Sequence, residues 1–458
     1  MALGAPTLWT NIRILGYHAE GTRESARVYL ERSKACPTFL TWFTEPGPFG
    51  IDVTEVIEGL IIPAAERWRR ITLIAGEEVA PEALLTAMEP LDFPNLQDLE
   101  VSCVPAQWQY SPKHTLCRSA PLLRRCRFRD TLSLPSLPSN LVVLDCVFIA
   151  FGAAAFDLDH FLQFLPHVAH SLEHLRFGPP PASEVHSTPS TSRIPLENLK
   201  SLLISNSYVV MDHILAPNLT TFVVSHSVEA DAGEAGRMFD GFPAPKLRSI
   251  QFRGIPLLPF LATRDLPPMF PQLESVLLSD CADESAFVHL LEPPKPTKPS
   301  ASKNTSNYPP NDPKVENPFP HLRELTISDM TIWTSLQSAI EKRLKNGNES
   351  LRKIRLPKGR ATETFMPHLR RWLPRLGVEL VLYEHGELPR STLEFQDEFC
   401  DEENRLFSEI IMEGDSDDVH YWEEQEDMFF HDHYDDSDSD DASVDNDHSY
   451  TKRWPSRW

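Results

Sequence analysis

One short phrase, Leu-x-x-Leu-x-Leu, recurs along this chain, often with Pro just before it. It reads RWRRITLIAG at Trp68, FPNLQDLEVS at Leu96, APLLRRCRFRD at Leu123, LPSNLVVLDC at Leu141, HSLEHLRFG at Leu172 and LENLKSLLIS at Leu199. It continues as APNLTTFVVS at Leu219, PKLRSIQFRG at Leu247, FPQLESVLLSD at Leu273, FPHLRELTISD at Leu322 and ESLRKIRLPKG at Leu351. The second and third apolar residues, such as Leu99 and Val101, stand two apart, so in a strand they face one side. The first lies three residues earlier, in the turn leading in. One such unit cannot bury its apolar face alone, whereas stacked neighbours can.

Helical stretches are predicted between the strand phrases. Val53, Val56, Ile57 and Leu60 share a face at helical spacing, as do Leu158, Phe161, Leu162 and Leu165. Ile332, Leu336, Ile340 and Leu344 form a third such stripe, and Asn346-Gly347 supplies its stop. Copies mostly start 26 to 31 residues apart, close to the spacing of leucine-rich repeats. Two intervals are short, Leu123 to Leu141 and Leu199 to Leu219. The long one, Leu273 to Leu322, contains residues 292–318, EPPKPTKPSASKNTSNYPPNDPKVENP. Its Pro, Ser, Asn and Lys offer almost nothing to bury, so a disordered insertion is expected there.

The leucine-rich pattern usually continues with Asn or Cys three residues after the last Leu, bonding the turn backbone. Only Cys281 fits, while Val104, Thr131, Ile149, Ser207, Ser227, Ile255 and Met330 hold the position elsewhere. Irregular turns are therefore expected. The fold class expected is α/β, a degenerate leucine-rich-repeat-like solenoid of strand–helix repeats over residues 21–392. A disordered acidic tail is expected to follow over 393–458.

Pro numbers 41 of 458 residues, about twice the usual share, which favours short, stopped segments. The net charge of −23 is concentrated: between Asp397 and Asp447 stand 22 acidic residues and one Arg, Arg405. The body is close to neutral, which gives no support for nucleic-acid binding. The seven Cys (36, 103, 117, 126, 146, 281, 400) form no CxxC pair. That fits reduced thiols in an intracellular protein, cytoplasmic or nuclear. No apolar run reaches the ~20 residues of a membrane helix, so no membrane partner is expected.

Candidate chemistry is sparse. HDHYDD, His431 to Asp436, has metal-ligand residue types, but it lies in the acidic tail with no scaffold to fix a geometry. His160, His167, His170 and His174 read as polar-face residues of a helix. Cys36 has no obvious basic partner in sequence. G-x-S-x-G, the P-loop, G-x-G-x-x-G and H-E-x-x-H are all absent from the sequence. The expectation is a non-catalytic chain with no cofactor and no metal site. In the tail, Ser437 and Ser439 sit among carboxylates, where an acidophilic kinase would add charge. Phe399, Phe407, Tyr421, Trp422, Phe429 and Phe430 are interleaved there, giving a grip on basic proteins as the alternative to a solubilising role. The outward positions of the repeated phrase vary without evident pattern, so the sequence names no contact residues.

The chain resembles the fungal F-box proteins with a degenerate leucine-rich-repeat body. Ala2, Leu3, Pro6, Leu8, Trp9 and Ile12 are similar to the end of the segment that follows the F-box in that family. Ser33, Cys36 and Pro37 match its small Cys-Pro phrase, and Arg67, Trp68 and Arg69 its Arg-Trp-Arg phrase. The resemblance covers residues 1 to about 390, with 1–20 as the remnant after the F-box. It implies a protein-interaction module like the substrate-recognition part of ubiquitin-ligase receptors, with a protein substrate as partner. The F-box phrase itself, L-P-x-E-I-L-x-x-I-F, is missing. Docking on the ligase adaptor is thus expected only if an upstream F-box exists.

Overall fold

The computed structural model describes residues 5–15, 19–44, 56–75, 88, 91–103, 120–129, 138–147, 158–178, 193–205, 209–225, 244–257, 269–292, 319–328, 333–345 and 350–384. The expected insertion (beyond Glu292) and the acidic tail lie outside these residues. By its internal contacts the chain divides after Leu393, and every described residue belongs to the first unit.

The fold is α/β. Sixteen strands are described: β1 Asn11–Leu15, β2 Thr38–Thr44, β3 Trp68–Ala75, β4 Asp98–Cys103, β5 Arg125–Arg129, β6 Val143–Val147, β7 His174–Gly178, β8 Ile194–Pro195, β9 Ser201–Ser205, β10 Ile214–Leu215, β11 Thr221–Ser225, β12 Ser249–Arg253, β13 Ser275–Ser279, β14 Glu324–Ile327, β15 Lys353–Pro357 and β16 Glu379–Tyr383. All but β8 and β10 form one 14-stranded sheet in chain order, and β8 and β10 pair separately. The pairings along the sheet are parallel, as in β4 to β5 and β12 to β13. Each of the eleven repeated phrases supplies one strand of this sheet. The Ile12/Ile14 alternation near the N-terminus forms β1, which pairs with β2.

The Pro that stands before six of the phrases has a local explanation. In FPNL, APLL, APNL, APKL, FPQL and FPHL the Leu N–H donates back three residues: Leu96 to Phe93 O, Leu123 to Ala120 O, Leu219 to Ala216 O, Leu247 to Ala244 O, Leu273 to Phe270 O and Leu322 to Phe319 O, at 3.0–3.2 Å. Pro occupies the second position of this turn, where its fixed φ is preset and its missing N–H is not needed. The residue before Pro, for example Phe93, Phe270 or Phe319, is buried with the Leu.

A ladder of asparagines ties successive turns together, one residue before the first Leu. Asn95 Nδ2 donates to Glu66 O at 2.6 Å, Asn140 to Pro121 O at 2.6 Å and Asn218 to Glu197 O at 2.7 Å, and Asn198 bonds His170 O in the same way. This ladder runs at the strand entrances, whereas the leucine-rich pattern places its Asn or Cys beyond the exits. At the exits, Cys281 does bond backbone: its thiol donates to Phe252 O at 3.2 Å. The expected irregularity of the other exit turns falls largely outside the described residues.

Five helices are described: α1 Ala19–Ser33, α2 Leu158–Val168, α3 Glu284–Leu290, α4 Trp333–Lys345 and α5 Arg360–Trp372. Leu158, Phe161 and Leu165 of α2 and Leu336 and Ile340 of α4 are buried as the helical spacing predicts. They share one core cluster with Leu99, Val101, Leu202, Ile204, Phe252 and Leu278 of the strands. The stripe at Val56, Ile57 and Leu60 takes a different form. It is a π-turn over Ile57–Ile61, closed by the Ile62 N–H on Ile57 O, followed by a 3-10 turn over Ile62–Arg67. Pro63 lacks the N–H that an α-helix would need at that point.

Two neighbouring cations of α4 hold the chain on either side of residues 293–318. Lys342 Nζ pairs with Glu292 Oε1 at 2.7 Å, and the buried Arg343 donates to Phe319 O at 3.0 Å. No helix among the described residues is long and apolar enough to cross a membrane.

Candidate functional site on the polar face of the sheet

The strand residue between the two core-facing positions points to the opposite face of the sheet. The registers align these residues across the strands: Thr72, Glu100, Arg127, Asp145, Arg176, Leu203, Val223, Gln251, Leu277, Thr326 and Arg355. Over β4 to β7 the row alternates acid and base. This is a pattern, where the outward positions read one phrase at a time showed none.

Opposite charges placed directly across neighbouring strands attract, and here they form a network. Glu100 lies 3.3 Å from Arg70 Nη2, 3.3 Å from Arg127 Nη1 and 3.9 Å from Arg129 Nε. Asp145 Oδ2 lies 3.2 Å from Arg127 Nε and 3.7 Å from Arg176 Nη1. The Asp145 contacts are ion pairs without the alignment of a hydrogen bond. Asp98 and Arg125 pair at 3.6 Å one position earlier on the same face. The Glu100 and Asp145 side chains are only 5% and 2% exposed, while those of Arg70, Arg127, Arg129 and Arg176 are 15–27% exposed. The carboxylates form the floor and the guanidiniums the rim.

Burial pushes the Asp145 carboxyl above the ordinary aspartate range; Arg176, then Arg127 and Arg129, pull it part of the way back, and Glu100 adds to the rise. Burial also lowers His174, seconded by Lys200 and Arg125, with Glu173 opposing. Beyond this network the row turns apolar, and Leu203 and Val223 form a small buried cluster separate from the main core. Arg253 Nη2 donates to Gln251 Oε1 at 2.9 Å.

The two phrases that carry the family resemblance meet in space. Arg67 Nη1 donates to Leu30 O at 3.1 Å, its Nη2 to Ser33 Oγ, and its Nε to Cys36 O at 3.3 Å. One guanidinium thus closes the end of α1 and fastens the Cys-Pro turn. Trp68 Nε1 donates to Ile61 O at 3.0 Å, and Arg69 Nε to Gln97 Oε1 at 2.9 Å. Trp9 packs edge-on against Tyr29 at 5.0 Å, with Arg32 over its ring at 4.5 Å. These matches mark packing and capping.

Of the other residues singled out in the sequence, Cys36 is half-buried, and Cys126, Cys146 and Cys281 are buried free thiols. His167 on α2 and His170 in the turn after it are exposed, whereas His174, expected on the same helix, opens β7 instead. The side chain of His160, the HDHYDD stretch, Ser437, Ser439 and the tail aromatics lie outside the described residues. Among the described residues, no group of three or more His, Cys, Asp and Glu could hold a metal ion. No protein-family model matches the chain, and no curated protein matches it.

Proposed function

We propose that this chain is a non-catalytic protein-interaction module. Its body would be a degenerate leucine-rich-repeat-like solenoid that holds a partner protein as the substrate-recognition part of an F-box receptor does. The observation that carries the reading is the row opposite the core, charged over β4 to β7 and apolar at Leu203, Val223 and Leu277: from Thr72 to Arg355 each strand of the large sheet contributes one in-register side chain to a single face. Repetition of a strand phrase with variable residues between fixed apolar ones builds an extended surface of this kind. The ligase link rests on the Cys-Pro and Arg-Trp-Arg phrases and needs an F-box upstream of Ala2.

The test uses the tagged full chain in cells, with co-purifying proteins quantified by mass spectrometry. Thr221→Arg, on the polar face of β11, removes a specific set of proteins; Gln163→Arg, on the exposed side of α2, leaves that set unchanged. Equal sets from both variants contradict the reading. Mapping the capped 5′ end of the transcript addresses the ligase link. An in-frame upstream L-P-x-E-type segment whose longer product co-purifies with the ligase adaptor supports it, and a transcript starting near Met1 removes it.

A second reading rests on the 22 acidic residues between Asp397 and Asp447: a stand-alone scaffold whose tail binds basic proteins. It requires that deletion of residues 393–458 abolishes partner binding, whereas the first reading requires the repeats to suffice.

A further inference from the structure

We propose that the edge of the sheet at β16 receives an extended segment of a partner protein, with apolar residues at alternate positions flanked by acidic ones. This edge is separate from the sheet face that carries Thr221, and the proposal goes beyond that reading without resting on it.

Burial breaks off at the last strand. In the other thirteen strands of the large sheet both core-facing residues are buried, down to Ile354 and Leu356 of β15. Leu380 and Leu382 of β16 stand in register beside those two, yet they are only half-buried. The opposite end of the sheet is closed: Ile12 and Ile14 of β1 are buried, and α1 packs on that strand. Among the described residues no strand pairs with the outer edge of β16. A stack of repeats is kept soluble by a polar outer face on its terminal unit, and an unpaired strand edge is a template for another strand. The end at β16 has the edge and lacks the polar face.

The space beside this edge has a definite shape. Gly377, at φ 70°, and the bond from Val378 N–H to Leu373 O at 3.1 Å turn the chain from the end of α5 into β16. Between the two elements lies an open groove of about 490 Å³. Met366, Arg370 and Pro374 line one side, and Val378, Leu380 and Leu382 the other. Glu363, in the first turn of α5, is not part of the lining.

Charge selects the occupant. Residues 350–384 hold eight Lys and Arg against three Glu, in a chain whose net charge is −23. Arg370 lines the groove and Arg375 adjoins Pro374, and among the described residues neither makes an ion pair. Glu379 also lines the groove, at the entrance of β16. A second copy would bring the same excess of cations to the edge, so charge favours a different, acidic occupant. Guanidinium forks match carboxylates with charge-assisted bonds. An extended segment repeats its side chains every ~6.7 Å on one side. Two apolar residues of that side meet Leu380 and Leu382, and an acidic residue at the next position meets Arg370. In this mode of recognition main-chain bonds to the strand edge give affinity, and the alternate side chains give specificity.

The test measures fluorescence anisotropy of labelled peptides with the full chain. The probe is Glu-Ser-Val-Ser-Val-Ser-Glu. In one control Lys replaces both Glu, and in the other Ser replaces both Val. The probe binds, each control binds at least about tenfold more weakly, and salt weakens binding of the probe. Arg370→Gln weakens it about tenfold, as loss of a charge-assisted contact predicts. Arg248→Gln, an exposed arginine paired with Glu274, leaves it unchanged. Thr221→Arg leaves it unchanged too, which keeps failure here separate from failure of the reading of the other face. Circular dichroism verifies folding. If Arg370→Gln fails to fold, amide exchange of the unaltered chain decides, with probe-induced protection expected in β16. Equal binding of either control, unchanged binding by Arg370→Gln, or protection elsewhere overturns the proposal. So does a probe that fails to bind, as it would at an edge already occupied by another part of the chain. Self-association in analytical ultracentrifugation that Arg370→Gln abolishes makes a second copy the occupant and overturns it as well.

Discussion

At the scale of single residues, Cys281 shows how strongly place governs chemistry. It is 9% exposed, and burial pushes its thiol up to about 12, with Glu284 and Asp280 adding to the rise. The unfolded thiol titrates near ~8.5. As pH rises from there toward 12, the unfolded chain releases a proton that the folded chain keeps, so the folded state loses stability across that window. The contribution is at most about 1.4 kcal/mol per pH unit. Cys281→Ser retains a donor for Phe252 O without titrating in this range. Urea midpoints at pH ~8 and ~10.5 should therefore show a steeper loss for the unaltered chain than for Cys281→Ser, a comparison built on that difference in titration. Parallel losses would mean that the thiol does not carry the effect.

At the scale of elements, β7 and β9 touch through their smallest residues. A Cβ built on Gly178 would stand 2.1 Å from Ser205 Oγ and 3.7 Å from Val147 Cγ1. Gly178→Ala is expected to destabilise by about 1–3 kcal/mol as an overpacked site, and adding Ser205→Gly should recover most of that loss. A thermal-denaturation double-mutant cycle gives the coupling; strictly additive losses would show that the two strands do not meet there. The element scale was also the most legible in sequence. All eleven repeated phrases became neighbouring strands because their apolar pair, two residues apart, needs one buried sheet face. The entrance turns were half legible. Pro stood out, but the buried residue before it, such as Phe93 or Ala216, and the asparagine after it did not. Asn95, Asn140, Asn198 and Asn218 look like ordinary loop residues until two turns are laid side by side.

At the scale of the whole molecule, the 14-stranded sheet is what turns a repeated phrase into a surface. Glu100, Arg127, Asp145 and Arg176 are about 18 to 31 residues apart in sequence, and each occupies a variable position. Their alternation of sign emerges only when the phrases are stacked on their second and third apolar residues, as the registers stack them. The charge network was thus written in the sequence at a period of one strand per phrase, a spacing that a search for local motifs passes over. The expectations for residues 293–318 and for the tail concern stretches outside the described residues, where composition remains the guide.

If the proposed reading holds, a partner protein binds the sheet face that carries Thr221 and Ser249. In-cell photo-crosslinking tests it most directly, with a photoreactive residue placed singly at Thr221 or Ser249 on that face, and at Gln163 or Glu363 on exposed helix surfaces. A discrete crosslinked protein is expected from Thr221 and Ser249 and none from Gln163 and Glu363. A discrete product from the helix positions alone would contradict it.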